Sequence, residues 1–184
     1  MRPTEARVYL EAPSARRERD YLDACLRSRA LHRGLVAPGP GPARYAEFLD
    51  RAGRPDRRSF FVIAAATAEL AGVVEILDML PEPALAGRLA YCAFVPHAGT
   101  GLMCEGVRLA VDAAFRDVGL ARLAADIEPG NRRSRALAQR LGFRCDQARR
   151  VSLKIGTRWR DHERWLLERA DWPGAVTTPT CARS

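Results

Sequence analysis

The chain has 184 residues, 47% hydrophobic and 28% charged, a composition that excludes a disordered or fibrous protein and fits one globular domain. Its formal net charge is +8, carried almost wholly by arginine, with Lys154 the one lysine. That field suits an acidic or phosphate-bearing ligand, but no run of cations interleaved with aromatics points to direct nucleic-acid binding. No apolar run can span a bilayer, and Met1-Arg2-Pro3-Thr4-Glu5 lacks a signal-peptide core, so a cytoplasmic protein off the membrane is expected. Cys25, Cys92, Cys104, Cys145 and Cys181 are odd in number and without C-x-x-C spacing, which argues against a disulfide framework. His32, His97 and His162 lie too far apart to read as metal ligands, and no metal is expected.

In chain order, Arg7-Val8-Tyr9-Leu10-Glu11-Ala12 alternates like a short strand. Ser14 reads as the N-cap of a helix carrying Tyr21, Leu22, Cys25, Leu26 and Leu31. Pro38-Gly39-Pro40-Gly41-Pro42 breaks the chain, and Tyr45, Phe48 and Leu49 mark a second helix. Two apolar strands follow, Phe60-Phe61-Val62-Ile63-Ala64 and Ala71-Gly72-Val73-Val74-Glu75-Ile76-Leu77, hairpin-linked through Thr67-Ala68-Glu69. A fourth strand covers 88–95. A helix over 101–118 places Val107, Ala110, Val111, Ala114, Phe115 and Val118 on one face, ahead of Gly119. A fifth strand covers 121–127, and a helix from about 132 to 141 stops at Gly142. Val151, Leu153 and Ile155 alternate, Gly156-Thr157 turns, and 159–167 returns as the last strand. Residues 1–172 form one domain on this reading, with 173–184 a loose tail. The order predicts a mixed α/β (α+β) sheet covered by helices.

Two segments carry the chemistry. Phe94-Val95-Pro96-His97-Ala98-Gly99-Thr100-Gly101-Leu102-Met103 runs from a strand end into a helix start. Glycines let backbone N–H groups approach a ligand there, and the helix dipole favours phosphate oxygens. A Rossmann reading fails because no third glycine follows. The second segment is Pro129-Gly130-Asn131-Arg132-Arg133-Ser134, followed by Leu141-Gly142-Phe143; alone, Asn131 and Ser134 would be capping residues.

Taken in order and with their spacing, Gly99-Thr100-Gly101-Leu102-Met103, the Pro-x-Asn-x-x-Ser at 129–134, Leu141-Gly142-Phe143 and Trp159-Arg160-Asp161-His162 resemble the GCN5-related N-acetyltransferase superfamily, its ribosomal-protein-alanine N-acetyltransferase branch above all. The resemblance implies a mostly antiparallel twisted sheet of about seven strands with about four helices, and a splayed strand pair holding acetyl-CoA. It implies that the pantetheine arm meets the backbone of Phe94 and Val95, and that the diphosphate rests on the N–H groups from His97 and Ala98 through Gly99, Thr100, Gly101, Leu102 and Met103. A backbone N–H near Val95 would hold the oxyanion, Asn131 would bond the pantetheine, and Ser134 would sit near the sulfur. The activity implied is direct transfer of acetyl to a primary amine, a protein N-terminus or a small molecule, and a homodimer is implied by resemblance alone.

Three departures bear on catalysis. Pro96 replaces the Gln or Arg that opens the family's phosphate motif. Ala138 stands where relatives place a tyrosine acid, leaving Ser134 as the substitute. The sixth strand, Arg149-Arg150-Val151-Ser152-Leu153-Lys154, offers no acid, so Glu75 is the candidate general base, with Asp78 and Asp126 behind it. His97 would point at cofactor or solvent. Trp159, Trp165 and Tyr91 read as core or sheet-face aromatics, and Arg132, Arg133 and Arg135 as a solvated helix face. The alternative to an enzyme is a regulatory module that binds acetyl-CoA without catalysis.

Overall fold

The computed structural model describes residues 6–33, 35, 39–155 and 157–174. Pro38 of the breaker, Gly156 of the last turn, Cys181 and all but the first two residues of the expected tail lie outside them. The elements are β1 (Val8–Glu11), α1 (Glu18–Arg27), α2 (Pro42–Ala52), β2 (Arg58–Ala64), β3 (Leu70–Leu77), β4 (Ala86–Ala93), α3 (Leu102–Arg116), β5 (Arg122–Ile127), α4 (Arg132–Arg140), β6 (Arg144–Ile155) and β7 (Arg158–Glu168). Their order is the one the hydrophobic periods predict.

One seven-stranded sheet runs β1-β2-β3-β4-β5-β7-β6, antiparallel throughout except for the parallel β4/β5 pair. On one face, Tyr21, Ala24 and Cys25 of α1 and Tyr45 and Phe48 of α2 close over Phe61, Ile63, Val73 and Phe94. On the other, Val107, Ala110, Val111, Ala114 and Phe115 of α3 are all but inaccessible against Val62, Val74 and Ile76. The spacing of those five is a helical stripe, so burying them fixes the rotation of α3. Ala138, Leu141 and Phe143 of the α4 region extend the same core to Leu123, Ala125 and Trp165.

Several local readings are corrected. Ser14 leads only a short 3-10 turn and its side chain makes no cap bond; its carbonyl instead accepts the Tyr45 hydroxyl at 2.7 Å. Helix α1 stops at Arg27, so Leu31 lies in the following turn, and Leu26 is exposed because it falls off the stripe of Tyr21, Ala24 and Cys25. Strand β6 starts at Arg144, before the alternation at Val151 begins, because a register shift between Asp146 and Arg150 hides the period. Trp165 is buried, but Trp159 is 69% exposed. The reason is topological: β5 pairs with β7 only over Glu163 to Glu168, so the β6/β7 ribbon beyond that point has no third strand beside it.

Candidate active site

The site begins where the sheet comes apart. Strands β4 and β5 pair only through Ala86↔Arg122, Gly87↔Leu123 and Arg88↔Ala124, although β4 continues to Ala93 and β5 to Ile127. The Phe94 N–H donates to the Ala71 carbonyl at 2.8 Å, so Phe94 is bonded toward β3. By the alternation of an antiparallel ladder, the main-chain groups of Tyr91 and Ala93 and the N–H of Val95 then point away from β3, into the gap.

The turn after α1 occupies part of that edge. Ser28, buried to 1% exposure, accepts the Val95 N–H on its Oγ at 3.0 Å. One turn later, His32 Nε2 lies 2.8 Å from the Ala93 carbonyl and 3.1 Å from Cys92 Sγ. The N–H expected to face the acetyl group therefore already has an acceptor, and the gap-facing N–H groups left without a ladder partner are those of Tyr91 and Ala93. Neither Ser28 nor His32 carries a local signal in the sequence, since their bonds close loops of 67 and 61 residues.

At the far end of β4 the chain enters α3 through Gly99 and Gly101, at φ +82° and +91°. Those left-handed values suit glycine, and around Gly99 nothing within 4 Å would meet a Cβ. The loop is pinned by Thr100, whose N–H and Oγ1 both donate to the His97 carbonyl. Cys104 and Glu105 donate to the Gly101 carbonyl, while the N–H groups of Gly101, Leu102 and Met103 find no acceptor among the described residues. Three bare N–H groups at the positive end of a helix suit phosphate oxygens. The His97 ring is bonded to the Glu69 carboxylate at 2.9 Å, off the β2–β3 turn.

Across the gap stands α4. Asn131 Oδ1 caps it by accepting the Ser134 N–H at 3.1 Å, which leaves its amide NH2 as a donor. The Ser134 carbonyl accepts the Tyr91 hydroxyl at 3.1 Å, so Tyr91 reaches from β4 to the first turn of α4 and floors the gap. Ala138 is 2% exposed and packed in the core. Arg132 and Arg133 are exposed, whereas Arg135 is ion-paired with Glu163 at 3.2 Å.

The carboxylates are spoken for. Glu75 lies opposite Ala90, on the face that α1 and α2 cover, with the Ser59 hydroxyl at 3.2 Å and Arg57 at 3.8 Å. At roughly 3.3 Å per residue it is about 10 Å from Ala93 along the strand direction. The Asp126 side chain is 4% exposed and gripped by Nε and one terminal nitrogen of Arg164, at 2.9 and 3.1 Å, and Asp78 is paired with Arg88. Glu128 is held by Arg160 at 2.9 Å. Burial pushes the Cys92 thiol up to about 12 and the Cys25 thiol to about 11, so both stay protonated at neutral pH. Burial also raises the Tyr91 phenol to about 12, leaving it a neutral hydrogen-bond donor.

Among the described residues no group of three His, Cys, Asp or Glu side chains could hold a metal, and no helix is long and apolar enough to cross a membrane.

A family model described as Acetyltransferase (GNAT) domain matches residues 7–144. The chain is 29% identical over 120 residues to the protein named Probable N-acetyltransferase YjcK of Bacillus subtilis (strain 168), covering 65% of this chain and 66% of that one. It is 33% identical over 107 residues to the ribosomal protein uS5-alanine N-acetyltransferase of Escherichia coli (strain K12), covering 58% and 55%. The matches thus span 66% and 55% of the length of these curated relatives. In fold the chain is similar to a ribosomal-protein-S5-alanine acetyltransferase from Vibrio fischeri, with TM-score 0.76, 19% identity and coverage of 90% and 95%. It is similar also to Mycobacterium smegmatis RimJ in complex with CoA-disulfide, with TM-score 0.79, 20% identity and coverage of 91% and 85%. A spermidine N-acetyltransferase from Vibrio cholerae, in complex with CoA and spermine, shares the fold at TM-score 0.75 and 17% identity, with coverage of 91% and 98%. With three quarters of its length inside one family model and its sheet parted between β4 and β5, this chain belongs to the GNAT acetyltransferase family.

Proposed function

We propose that the chain transfers an acetyl group from acetyl-CoA to the free amino group of a polypeptide N-terminus, by direct attack on the thioester. The observation that carries the reading is the stretch of β4 edge without a strand partner, with the N–H groups of Tyr91 and Ala93 open, followed by the bare N–H groups that start α3. A ligand with a peptide-like arm and a diphosphate fits both at once: the arm adds to the edge like a strand, and the diphosphate takes the helix dipole. On this reading the Asn131 amide serves the arm and the Ser134 hydroxyl the sulfur, from α4 across the gap. The N–H of Ala93, or of Tyr91 beyond it, serves the carbonyl oxygen as it gains charge. Held in line, amine and thioester need no covalent enzyme intermediate.

The acceptor class follows from charge. A polyamine calls for carboxylates free to meet its ammonium groups. Around this site Glu75, Asp126 and Glu128 are each engaged by an arginine, Arg57, Arg164 and Arg160. The overhanging ribbon next to the gap adds Arg149, Arg150, Lys154 and Arg158. Such a surface favours a peptide with a free N-terminal amine and acidic residues behind it.

The test is thiol release from acetyl-CoA with three acceptors: an alanine-initiated acidic peptide, its charge-reversed basic version, and spermidine. The acidic peptide is expected to give kcat/KM at least tenfold above the others. Spermidine in front would overturn the acceptor class. Tight acetyl-CoA binding without thiol release from any acceptor would instead mark a regulatory module.

A further inference from the structure

The proton that leaves the attacking amine finds no free carboxylate in Glu75, Glu128 or Asp126, because each is tied to an arginine. We propose that His32 is the general base of the transfer, a role that rests on the acetyltransferase reading of the same gap.

The placement comes from the ladder. In an extended strand the N–H and C=O of one residue point to the same side. His32 Nε2 sits 2.8 Å from the Ala93 carbonyl, hence beside the Ala93 N–H that is left for the oxyanion. The imidazole thus borders the point at which the amine must meet the thioester carbon. Donation from Nε2–H to that carbonyl leaves the lone pair on Nδ1, which is 4.0 Å from Cys92 Sγ, too far for that thiol to engage it well. The ring is partly exposed, so an incoming amine can reach it directly or through one water.

Its neighbours do not compete for the role. The groups that face this corner are Cys92 from β4, Cys25 and Tyr21 from α1 and Glu75 from β3, with Arg29 and Arg33 exposed on the turn itself. Both thiols and the Tyr21 phenol are held protonated by burial, and Glu75 has Arg57 and Ser59. Imidazole is the side chain whose ordinary titration lies near neutrality. Of the other two histidines, His97 is bonded to Glu69, and His162 is 4% exposed with Nδ1 at the Arg160 carbonyl.

The step balances without a further reactant. The amine lone pair forms the C–N bond, and the carbonyl pair moves to oxygen. The amine proton passes to Nδ1. Collapse breaks the C–S bond, whose pair leaves on sulfur. The thiolate takes a proton from solvent, and the imidazolium returns one to solvent.

Two arms test this. In the first, H32Q and H32A are compared with wild type by thiol release from pH 5.5 to 9, with the alanine-initiated peptide as acceptor. Glutamine can still donate to the Ala93 carbonyl, so it restores a merely structural strap but not a base. Loss of kcat of about 100-fold or more in both variants is expected. KM for acetyl-CoA should stay within about twofold, and the acid-side fall in rate of the wild type should disappear. H32Q with wild-type kcat and an unchanged profile would overturn the base role while leaving the acetyltransferase reading intact. The second arm needs neither turnover nor a variant. A non-transferable analogue, acetyl-CoA with CH2 in place of sulfur, is added to wild type, and the three histidine rings are followed by NMR. The His32 signals should shift, with buried His162 as the still reference. Binding of the analogue with His32 unmoved would overturn the placement whatever the activity.

Discussion

Around the gap, single residues serve two ends. Asn131 caps α4 with its oxygen and leaves its NH2 group as a donor, so its capping is compatible with the proposed binding role. Tyr91 lends its backbone to the gap edge and its hydroxyl to Ser134. The same region stores a pH dependence. Burial raises Cys25 to about 11 and Cys92, Tyr45 and Tyr91 to about 12, from ordinary values of 9 for the thiols and 10 for the phenols. Each is neutral when protonated, and the folded chain holds its proton to a higher pH than the unfolded chain does. Their contribution to stability is therefore complete below about pH 9 and is lost as pH climbs toward 12. Thermal unfolding followed from pH 7 to 11.5 should show a midpoint insensitive to these groups up to about 9 and a progressive fall above. A midpoint that rises through that range would contradict the burial of these groups.

Among the elements, α3 is the one whose position decides the site, because its first turn must meet the end of β4. Two glycines permit the approach. A Cβ on Gly72 of β3 would run into the Cys92 carbonyl and the Met103 sulfur, and one on Gly106 would lie 2.5 Å from both methyl carbons of Val62. Gly106→Ala should destabilise by about 1–3 kcal/mol through overpacking, in spite of alanine's better helix propensity. Combining it with Val62→Ala, which removes the clash, should recover part of the loss, as a favourable coupling in a double-mutant cycle read by urea unfolding. Additive losses would mean that α3 has room to spare. The glycines of the loop between β4 and α3 act differently: Gly101 is needed for its left-handed φ of +91° at the helix start.

At the scale of the molecule, the sheet parts because β5 is shared. It holds register with β7 along its whole length, from Arg122↔Glu168 to Ile127↔Glu163, but with β4 for three residues only. The chain as a whole carries a net charge of +8. Acetyl-CoA affinity, measured by calorimetry, should therefore weaken several-fold between 20 mM and 300 mM salt, as screening shortens the reach of the surface arginines. Affinity indifferent to salt would leave the phosphates bound by backbone N–H groups alone.

The chain's periodicity was enough to determine every strand and helix in order, and the resemblance carried by its Gly-x-Gly and Pro-x-Asn-x-x-Ser segments was enough for the GNAT family. These are local properties: a hydrophobic stripe, a positive φ and a cap depend on residues a few positions apart. What surrounds the reacting centre is not local. Ser28 on Val95, His32 on Ala93, Tyr91 on Ser134 and the arginines on Glu75, Asp126 and Glu128 join segments far apart in the chain. Glu75 shows the difference well: an acid in an apolar run reads as a candidate base, and only the fold supplies Arg57 and Ser59 beside it. Trp159 shows it too, since its exposure follows from where β5 ends rather than from its own neighbours. Sequence spacing dictates which elements form; which side chains share a site is decided when the sheet brings distant strands and turns into register.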